Sequence, residues 1–486
     1  MRYITRKTKI VATLGPSSSN ESVIKRLCDA GVNVFRLNFS HSNRDLHEKN
    51  ISAIRHVEQE INRPLAIMMD LQGPKIRIGV FENREVLLVK GTGFILDMNN
   101  ELGNTRRVSL PHPEIFGFLK TGTKLLLDDG KIALRVVNNN GARIETEVVA
   151  GGILSNKKGL NVPNMFLPIP SITEKDKKDI AFAEEKGLDF LAVSFVQTPE
   201  DVLLARSLIK DSIIKIVAKI EKPKALENLD EIIDVADAIM VARGDLGVEI
   251  PIEMVSSVQR QIIKRCGFYK RPVIVATQML ESMIDSPVPT RAEVSDVANA
   301  VYQGADAVML SAESASGNFP VESVSAMDKI IRHTENELRI TDEDNNARLF
   351  LFREANKECD SYPITAAIYD LVKLSHINYI AAFTESGRTT LDISSSRPNA
   401  SIVGLTPSIH VSRQMCLAWG VHSFLIEDLY SFSQMVQLVQ SVFSKTIEIE
   451  VGEKIAVVAG VPFRKLGETN IIHVCTFEKP EDHYKP

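Results

Sequence analysis

Ile216-Val217-Ala218-Lys219-Ile220-Glu221 and Ala238-Ile239-Met240-Val241-Ala242-Arg243-Gly244-Asp245 are short apolar runs that end abruptly in charge. A strand buried on both faces of a parallel sheet reads this way, with polarity appearing where it reaches a functional rim. Lys219 and Glu221 are two apart, so on a strand they project to the same side. Asp245 ends the next run, so two carboxylates and an ammonium can converge at one rim. Paired carboxylates suit a divalent cation, and a fixed lysine beside them suits phosphoryl oxygens or an enolate.

Six more runs share this texture: Lys9 to Gly15, Val32 to Asn38, Pro64 to Asp70, Asp189 to Phe195, Val273 to Thr277 and Ala307 to Ser311. Helix-like stretches closed by glycine separate most of them, such as Ser22 to Ala30 before Gly31 and Thr173 to Lys186 before Gly187. Eight strand–helix units predict an α/β fold, a closed (β/α)8 TIM barrel with its site at the carboxyl ends of the strands.

Between Asp70 and Asp189 the pattern changes to short alternating runs with turn signals, among them Arg84 to Val89, Lys124 to Leu127 before Asp128-Asp129-Gly130, and Arg143 to Val149. This predicts a small β-barrel domain inserted on the catalytic face, where it serves as a lid. From about Asp342 a charged linker leads into an open α/β domain, with clear strands at Tyr379 to Thr384 and Lys454 to Gly460. The expected division is 1–71 and 169–342 for the barrel, 72–168 for the lid, and 343–486 for a carboxyl-terminal effector and assembly domain.

Composition excludes several classes. The 486 residues carry 57 Lys and Arg against 62 Asp and Glu, a net charge of −5 with no long basic run, so no nucleic-acid partner is expected. The amino end lacks the apolar core of a signal peptide, and no run approaches the ~20 residues that span a bilayer. Cys28, Cys266, Cys359, Cys416 and Cys475 are scattered and odd in number, which fits small core hydrophobes in a reducing cytoplasm.

The motifs, taken in order, resemble those of the pyruvate kinase family over nearly the whole chain. They are Leu37-Asn38-Phe39-Ser40-His41, Gly73-Pro74-Lys75-Ile76-Arg77, Ala218-Lys219-Ile220-Glu221, Ala242-Arg243-Gly244-Asp245-Leu246-Gly247, Thr277-Gln278-Met279-Leu280-Glu281-Ser282-Met283 and Pro289-Thr290-Arg291-Ala292-Glu293-Val294-Ser295-Asp296-Val297-Ala298. The resemblance implies a glycolytic phosphotransferase that moves the phosphoryl group of phosphoenolpyruvate to ADP, giving ATP and pyruvate. It also implies Mg2+ or Mn2+ as cofactor and a homotetramer.

Carried onto this sequence, the resemblance makes Lys219, Arg36 and Thr277 catalytic and Glu221 and Asp245 metal ligands. Phosphoenolpyruvate is expected to meet Arg36, Lys219, Gly244, Asp245 and Thr277, and the nucleotide to meet Asn38, His41, Arg77 and Lys158. The chemistry agrees: Lys219 places charge where it develops, the guanidinium groups of Arg36 and Arg77 present forks to phosphate, and amides near Gly244 and Asp245 receive the carboxylate if a helix begins there. Thr277 is expected to help protonate the enolate through water, since a hydroxyl alone is a poor acid. Arg291 reads better as a bridge between loops or subunits, and Asp129, Lys157 and Lys158 read either as lid groups near the nucleotide or as surface charge.

One departure is instructive. Potassium-activated members of the family carry threonine and glutamate where this chain has Leu71 and Lys75, while Asn38, Ser40 and Asp70 match the remaining potassium ligands. Exchanging glutamate for lysine replaces a charge that recruits a monovalent cation by one that substitutes for it. K+ is therefore expected to be dispensable, with the Lys75 ammonium near the vacated place and helping to hold the substrate phosphate. Ser311-Ala312-Glu313-Ser314-Ala315 and Ser42 are milder departures, each at a place where glycine is common.

Thr384-Glu385-Ser386-Gly387-Arg388-Thr389 follows a strand and opens a helix-like stretch, which makes a hydroxyl- and glycine-rich anion cradle. It resembles an effector loop for a sugar phosphate or nucleotide, as Gly460 to Asn470 resembles the family's terminal effector loop. No further phosphotransferase-like domain is expected beyond Pro486. Two other readings are a phosphoenolpyruvate- or pyruvate-handling barrel lyase and a catalytically silent regulatory relative. An ADP lid with Arg77 argues against the first, and Lys219, Glu221, Asp245 and Thr277 argue against the second.

Overall fold

The computed structural model describes residues 6–40, 44–163, 165, 169–210, 213–340, 362–428, 431–461 and 469–479. Eight parallel strands close into a barrel: Lys9–Thr13, Val34–Asn38, Ala66–Asp70, Phe190–Val196, Lys215–Ile220, Ala238–Ala242, Val273–Ala276 and Ala307–Leu310. Each pairs with its neighbours in sequence, and Lys9–Thr13 closes the ring against Ala307–Leu310. All eight arise from the apolar runs above, whose polar last residues stand at the carboxyl rim.

Strand alternation builds two cores. Val11, Val34, Met68, Ala192, Val217, Met240, Ile274 and Met309 fill the barrel, and Cys416 and Leu417 from the carboxyl-terminal domain join the same cluster from below. Ile10, Phe35, Ile67, Leu191, Ile216, Ile239, Val275 and Val308 face the surrounding helices. The helix starts use local chemistry. Thr173 and Asp176 form a reciprocal capping box before the helix Glu174–Glu185, as Thr290 and Glu293 do before Arg291–Gln303.

The insert departs after the third strand and returns before the fourth, and it packs around its own core of Phe94, Leu96, Leu125, Leu134, Ile144 and Val148. Its strands form a six-stranded sheet and a separate two-stranded ribbon, not one closed barrel. The split occurs at Gly151, where an added Cβ would lie 2.2 Å from the Leu88 carbonyl. The chain runs close against Leu88 there, and Gly152–Ser155 pairs with Glu85–Leu88 instead of extending the larger sheet.

The carboxyl-terminal domain has five strands. Tyr379–Phe383, Ser401–Thr406, Val421–Leu425 and Lys454–Ala459 are parallel, and Ile471–Thr476 is an antiparallel edge. The charged linker from Asp342 and most of the terminal effector loop, with Phe463, Arg464 and Lys465, lie outside the described residues. None of the described helices is long and apolar enough to cross a membrane.

Lys9 ties the base of the barrel to this domain. It is buried, and its Nζ donates to the Val421 carbonyl at 2.5 Å. Burial pushes its pKa down to about 7, Arg6 and Arg63 add to the depression, and Cys416 and Glu335 oppose it. The unfolded chain keeps that proton up to its ordinary value of 10.5. Between those limits the unfolded state binds more protons, so stability rises with pH. Wild type should gain stability over Lys9→Met as pH climbs from about 7 to about 9.5, by at most ~1.4 kcal/mol per pH unit. A stability difference that stays flat in denaturant melts across that range would contradict the lowered pKa of Lys9.

Candidate active site

Six successive strands, the second to the seventh, build the site. Lys219, next to last on the fifth strand, is buried, with Nζ 3.1 Å from Asp70 Oδ1, 2.8 Å from Glu221 Oε1 and 2.7 Å from Ser194 Oγ. Burial alone would lower its pKa, but Asp70, Glu221 and Asp245 outweigh that and hold it above the ordinary lysine value. The ammonium is a permanent charge. Asp70, at the end of the third strand, also receives Arg36, whose Nε and Nη2 stand 2.7 and 2.6 Å from Oδ2. Burial pushes Asp70 up, yet Lys219 and Arg36 together keep it below the usual carboxylate range. Arg36 is anchored further by Thr13 Oγ1 at 3.0 Å.

Glu221 is almost completely buried. Its Oε2 accepts from the Phe195 amide at 2.9 Å, and its Oε1 is ion-paired with Lys219 but makes no hydrogen bond. Burial, with Asp245 adding to it, raises its pKa despite Lys219. A buried carboxylate whose one counter-charge, Lys219, is shared with Asp70, and which has Asp245 close by, is a donor set that fits a hard divalent cation.

The sixth strand ends at Ala242, and the helix Arg243–Glu249 begins immediately, as the glycines of that loop imply. The Gly244 amide donates to Thr277 Oγ1 at 2.8 Å. Thr277 has φ 69° and Gln278 φ 53°, a left-handed pair that is costly for a β-branched residue. Arg243 holds the turn, donating from Nε and Nη2 to the Thr277 carbonyl at 3.2 and 2.6 Å while Nη1 meets Asp296 at 2.8 Å.

Lys75 stands opposite. Its ammonium is 3.4 Å from Asp245 Oδ1 and 4.0 Å from Asp129 Oδ1. No contact joins it to Asn38, Ser40 or Asp70 among the described residues; Arg36 and Lys219 take Asp70, and Asn38 Oδ1 accepts from the Ser40 amide at 3.1 Å. The backbone steers Lys75 this way. Gly73, with φ 65°, packs where an added Cβ would lie 2.7 Å from the Phe195 ring, and Arg77 bridges to Gly159 in the insert. Leu71 is buried beside this turn.

Arg77 and Lys158 are engaged within the insert: Arg77 Nη1 donates to the Lys157 carbonyl at 3.0 Å, and Lys158 Nζ is 2.6 Å from Asp128. His41 lies outside the described residues. The residues that converge are thus Arg36, Asp70, Lys219, Glu221, Asp245, Thr277 and Lys75. Sequence reading missed three supporting groups. Ser194 accepts from Lys219 and donates to the Leu71 carbonyl at 2.8 Å, Phe195 takes φ 58° to aim its amide at Glu221, and Arg243 clamps the Thr277 turn. A serine breaking the apolar run Val193-Ser194-Phe195 at the rim was the available signal for the first.

Family comparisons point the same way as the geometry. The family model "Pyruvate kinase, barrel domain" matches residues 5–324, and "Pyruvate kinase, alpha/beta domain" matches 363–475. The chain belongs to the pyruvate kinase family. It is 45% identical over 470 residues to the pyruvate kinase of Methylorubrum extorquens, covering 97% of each chain. It is 41% identical to that of Geobacillus stearothermophilus, covering 96% of this chain and 80% of the relative. A crystal structure of a pyruvate kinase from Cryptosporidium parvum superposes with TM-score 0.91 at 32% identity, covering 98% and 97% of the two chains. Membership through both matched domains places the chain among the phosphotransferases.

Proposed function

We propose that this site transfers the phosphoryl group of phosphoenolpyruvate to ADP. The observation that carries the reading is the Lys219 ammonium, buried at a strand end and shared by Asp70, Glu221 and Ser194. Arg36 and Lys219 bind the phosphoryl oxygens, and the Asp245 amide, with the Gly244 amide exchanging its bond to Thr277 Oγ1, takes the substrate carboxylate at the start of the helix Arg243–Glu249. The bond between phosphorus and the enol oxygen breaks as a bond forms to a terminal phosphate oxygen of ADP. Lys219 stabilises the negative charge left on the enolate oxygen. A proton then reaches the methylene carbon through a water oriented by Thr277 Oγ1, giving pyruvate. Glu221 and Asp245 would hold Mg2+ or Mn2+, which supplies Lewis-acid polarisation of the phosphoryl and enolate oxygens when bound. Asn38, His41, Arg77 and Lys158 are assigned to the nucleotide, with Arg77 and Lys158 supplied by the insert.

The same reading makes K+ dispensable. Lys75 already supplies a cation beside Asp245, and Leu71 offers no side-chain oxygen where a threonine would. With Asp245 holding a divalent ion, the Lys75 ammonium would be available to the substrate phosphate.

For regulation, the Gly387 amide donates to Thr384 Oγ1 at 2.9 Å, and no side chain caps the helix Arg388–Ser395. Ser386 and Arg388 are exposed, and Thr389 Oγ1 meets Thr469 Oγ1 at 2.6 Å. A cavity of about 600 Å³ lies alongside, between this loop and the base of the barrel, lined among others by Phe190, Lys215, Lys270 and Arg271. These features support a phosphorylated effector bound at Thr384, Ser386, Gly387, Arg388 and Thr389. Exposed Ile252, Met254 and Val288 support assembly into a homotetramer, and the buried free thiols of Cys28, Cys266, Cys416 and Cys475 support a cytoplasmic setting.

One assay tests the reading: pyruvate and ATP formation from phosphoenolpyruvate and ADP with Mg2+, run in sodium, tetramethylammonium or potassium salts and with added sugar phosphates. Turnover is expected in all three salts at rates within about twofold, far short of a tenfold (1.4 kcal/mol) difference. No turnover in any salt would refute the kinase reading. Turnover only in potassium would refute the Lys75 reading alone.

A further inference from the structure

Glu249 ends the helix Arg243–Glu249 and is buried, although it lies in none of the sequence motifs that speak of phosphoryl transfer. Its Oε1 accepts from Lys222 Nζ at 2.5 Å and from Asn161 Nδ2 at 2.7 Å. Its Oε2 is buried and makes no hydrogen bond. A carboxylate taken out of water is costly unless each oxygen is met, so a half-satisfied one at a domain boundary asks for a reason.

Three elements meet on this one oxygen. Lys222 directly follows Glu221 at the end of the fifth strand, and its ammonium stands 5.5 Å from the Phe195 ring centre. Glu249 closes the helix whose first turn presents Gly244 and Asp245. Asn161 belongs to the returning strand of the insert, Leu160–Asn161, paired with Leu126 and Leu127 immediately before the Asp128-Asp129-Gly130 turn. That turn also approaches the same helix, since a Cβ on Gly130 would lie 3.8 Å from Val248 Cγ1. The insert therefore touches the barrel both at the turn that carries Asp129 and at the Asn161 hydrogen bond, and both contacts fall on the helix that holds Asp245.

We propose that Glu249 is a positioning residue, a latch that sets the insert over the site and couples its closure to the fifth-strand loop. This rests on the kinase reading above. The second oxygen gives the latch another seat for a donor when the insert shifts. Because Asn161 supplies the insert's side of the bond, losing it should free the insert without touching Lys219, Glu221 or Asp245.

Glu249→Gln keeps the volume and one acceptor oxygen while removing the charge that faces Lys222, and Asn161→Ala removes only the insert's arm. Both variants should raise the KM for ADP by roughly tenfold, in the range expected of coupling between sites. The KM for phosphoenolpyruvate should stay within about twofold, well below that coupling range. Amide hydrogen exchange should accelerate over 126–131 and 160–162 and stay unchanged in the barrel strands. Asn161→Asp, which sets carboxylate against carboxylate, should exceed Asn161→Ala. An active wild type whose two variants keep its ADP KM and exchange pattern would overturn the latch, as would equal losses toward both substrates with a lowered Tm. An inactive wild type would fail the kinase reading instead, and exchange over 160–162 would still decide whether Glu249 holds the insert.

Discussion

Lys219→Met should lower kcat by at least about 10²–10³-fold, the range expected when a preorganised charge is removed from a water-poor site. Methionine nearly matches the lysine stem in length and shape, so the barrel interior stays filled and the loss is of charge alone. Asp70 keeps Arg36, but Glu221 loses the one ion-pair partner it has among the described residues. Arg36 and the amides at Gly244 and Asp245 remain to bind phosphoenolpyruvate, so its KM should change far less than kcat, the pattern of an interaction made mainly in the transition state. Steady-state rates of pyruvate formation with a matched thermal melt check this. Equal kcat in variant and wild type would remove Lys219 from the chemistry.

Glu221→Gln is expected to be nearly as severe by a different route. The Phe195 amide can still donate to the new carbonyl oxygen, so Phe195 should hold its left-handed backbone. What changes is the face toward Lys219, where an amide NH2 sets donor against donor, and the charge offered to a divalent cation falls by one. We expect kcat to drop by about 10²-fold or more, and Mn2+ binding followed by electron paramagnetic resonance to weaken at least about tenfold. Mn2+ binding unchanged from wild type would move the metal ligand elsewhere, whatever the rate shows.

The fold was legible because a parallel barrel writes itself locally: each strand is one apolar run, and each run ended within two or three residues of where the sequence placed it. Lys219, Glu221 and Asp245 were legible for the same reason, as charges interrupting such runs. Ser194 was harder, since one hydroxyl at a rim also reads as ordinary surface polarity, and only the Lys219 hydrogen bond gives it meaning. Phe195 and Arg243 act through backbone, one by its amide and the other on the carbonyl of a residue 34 positions away, and neither leaves a mark in composition. Lys75 shows a third kind of miss. Its identity was read, but its direction depends on the insert, whose turn and Gly159 bridge draw the chain from Gly73 to Arg77 toward Asp245.

The third and fourth barrel strands are hydrogen-bonded neighbours, Met68 beside Phe190 and Asp70 beside Ala192, although the whole insert lies between them in the chain. The entropy of closing a loop grows only with the logarithm of its length, so lengthening this connection several-fold costs the barrel roughly 1 kcal/mol. Even that is an upper figure, because the insert has a core of its own and delivers its two ends already close together. The barrel can therefore carry a second domain at that position almost free of thermodynamic penalty. Changes within the insert should be felt in turnover long before they are felt in whether the barrel folds.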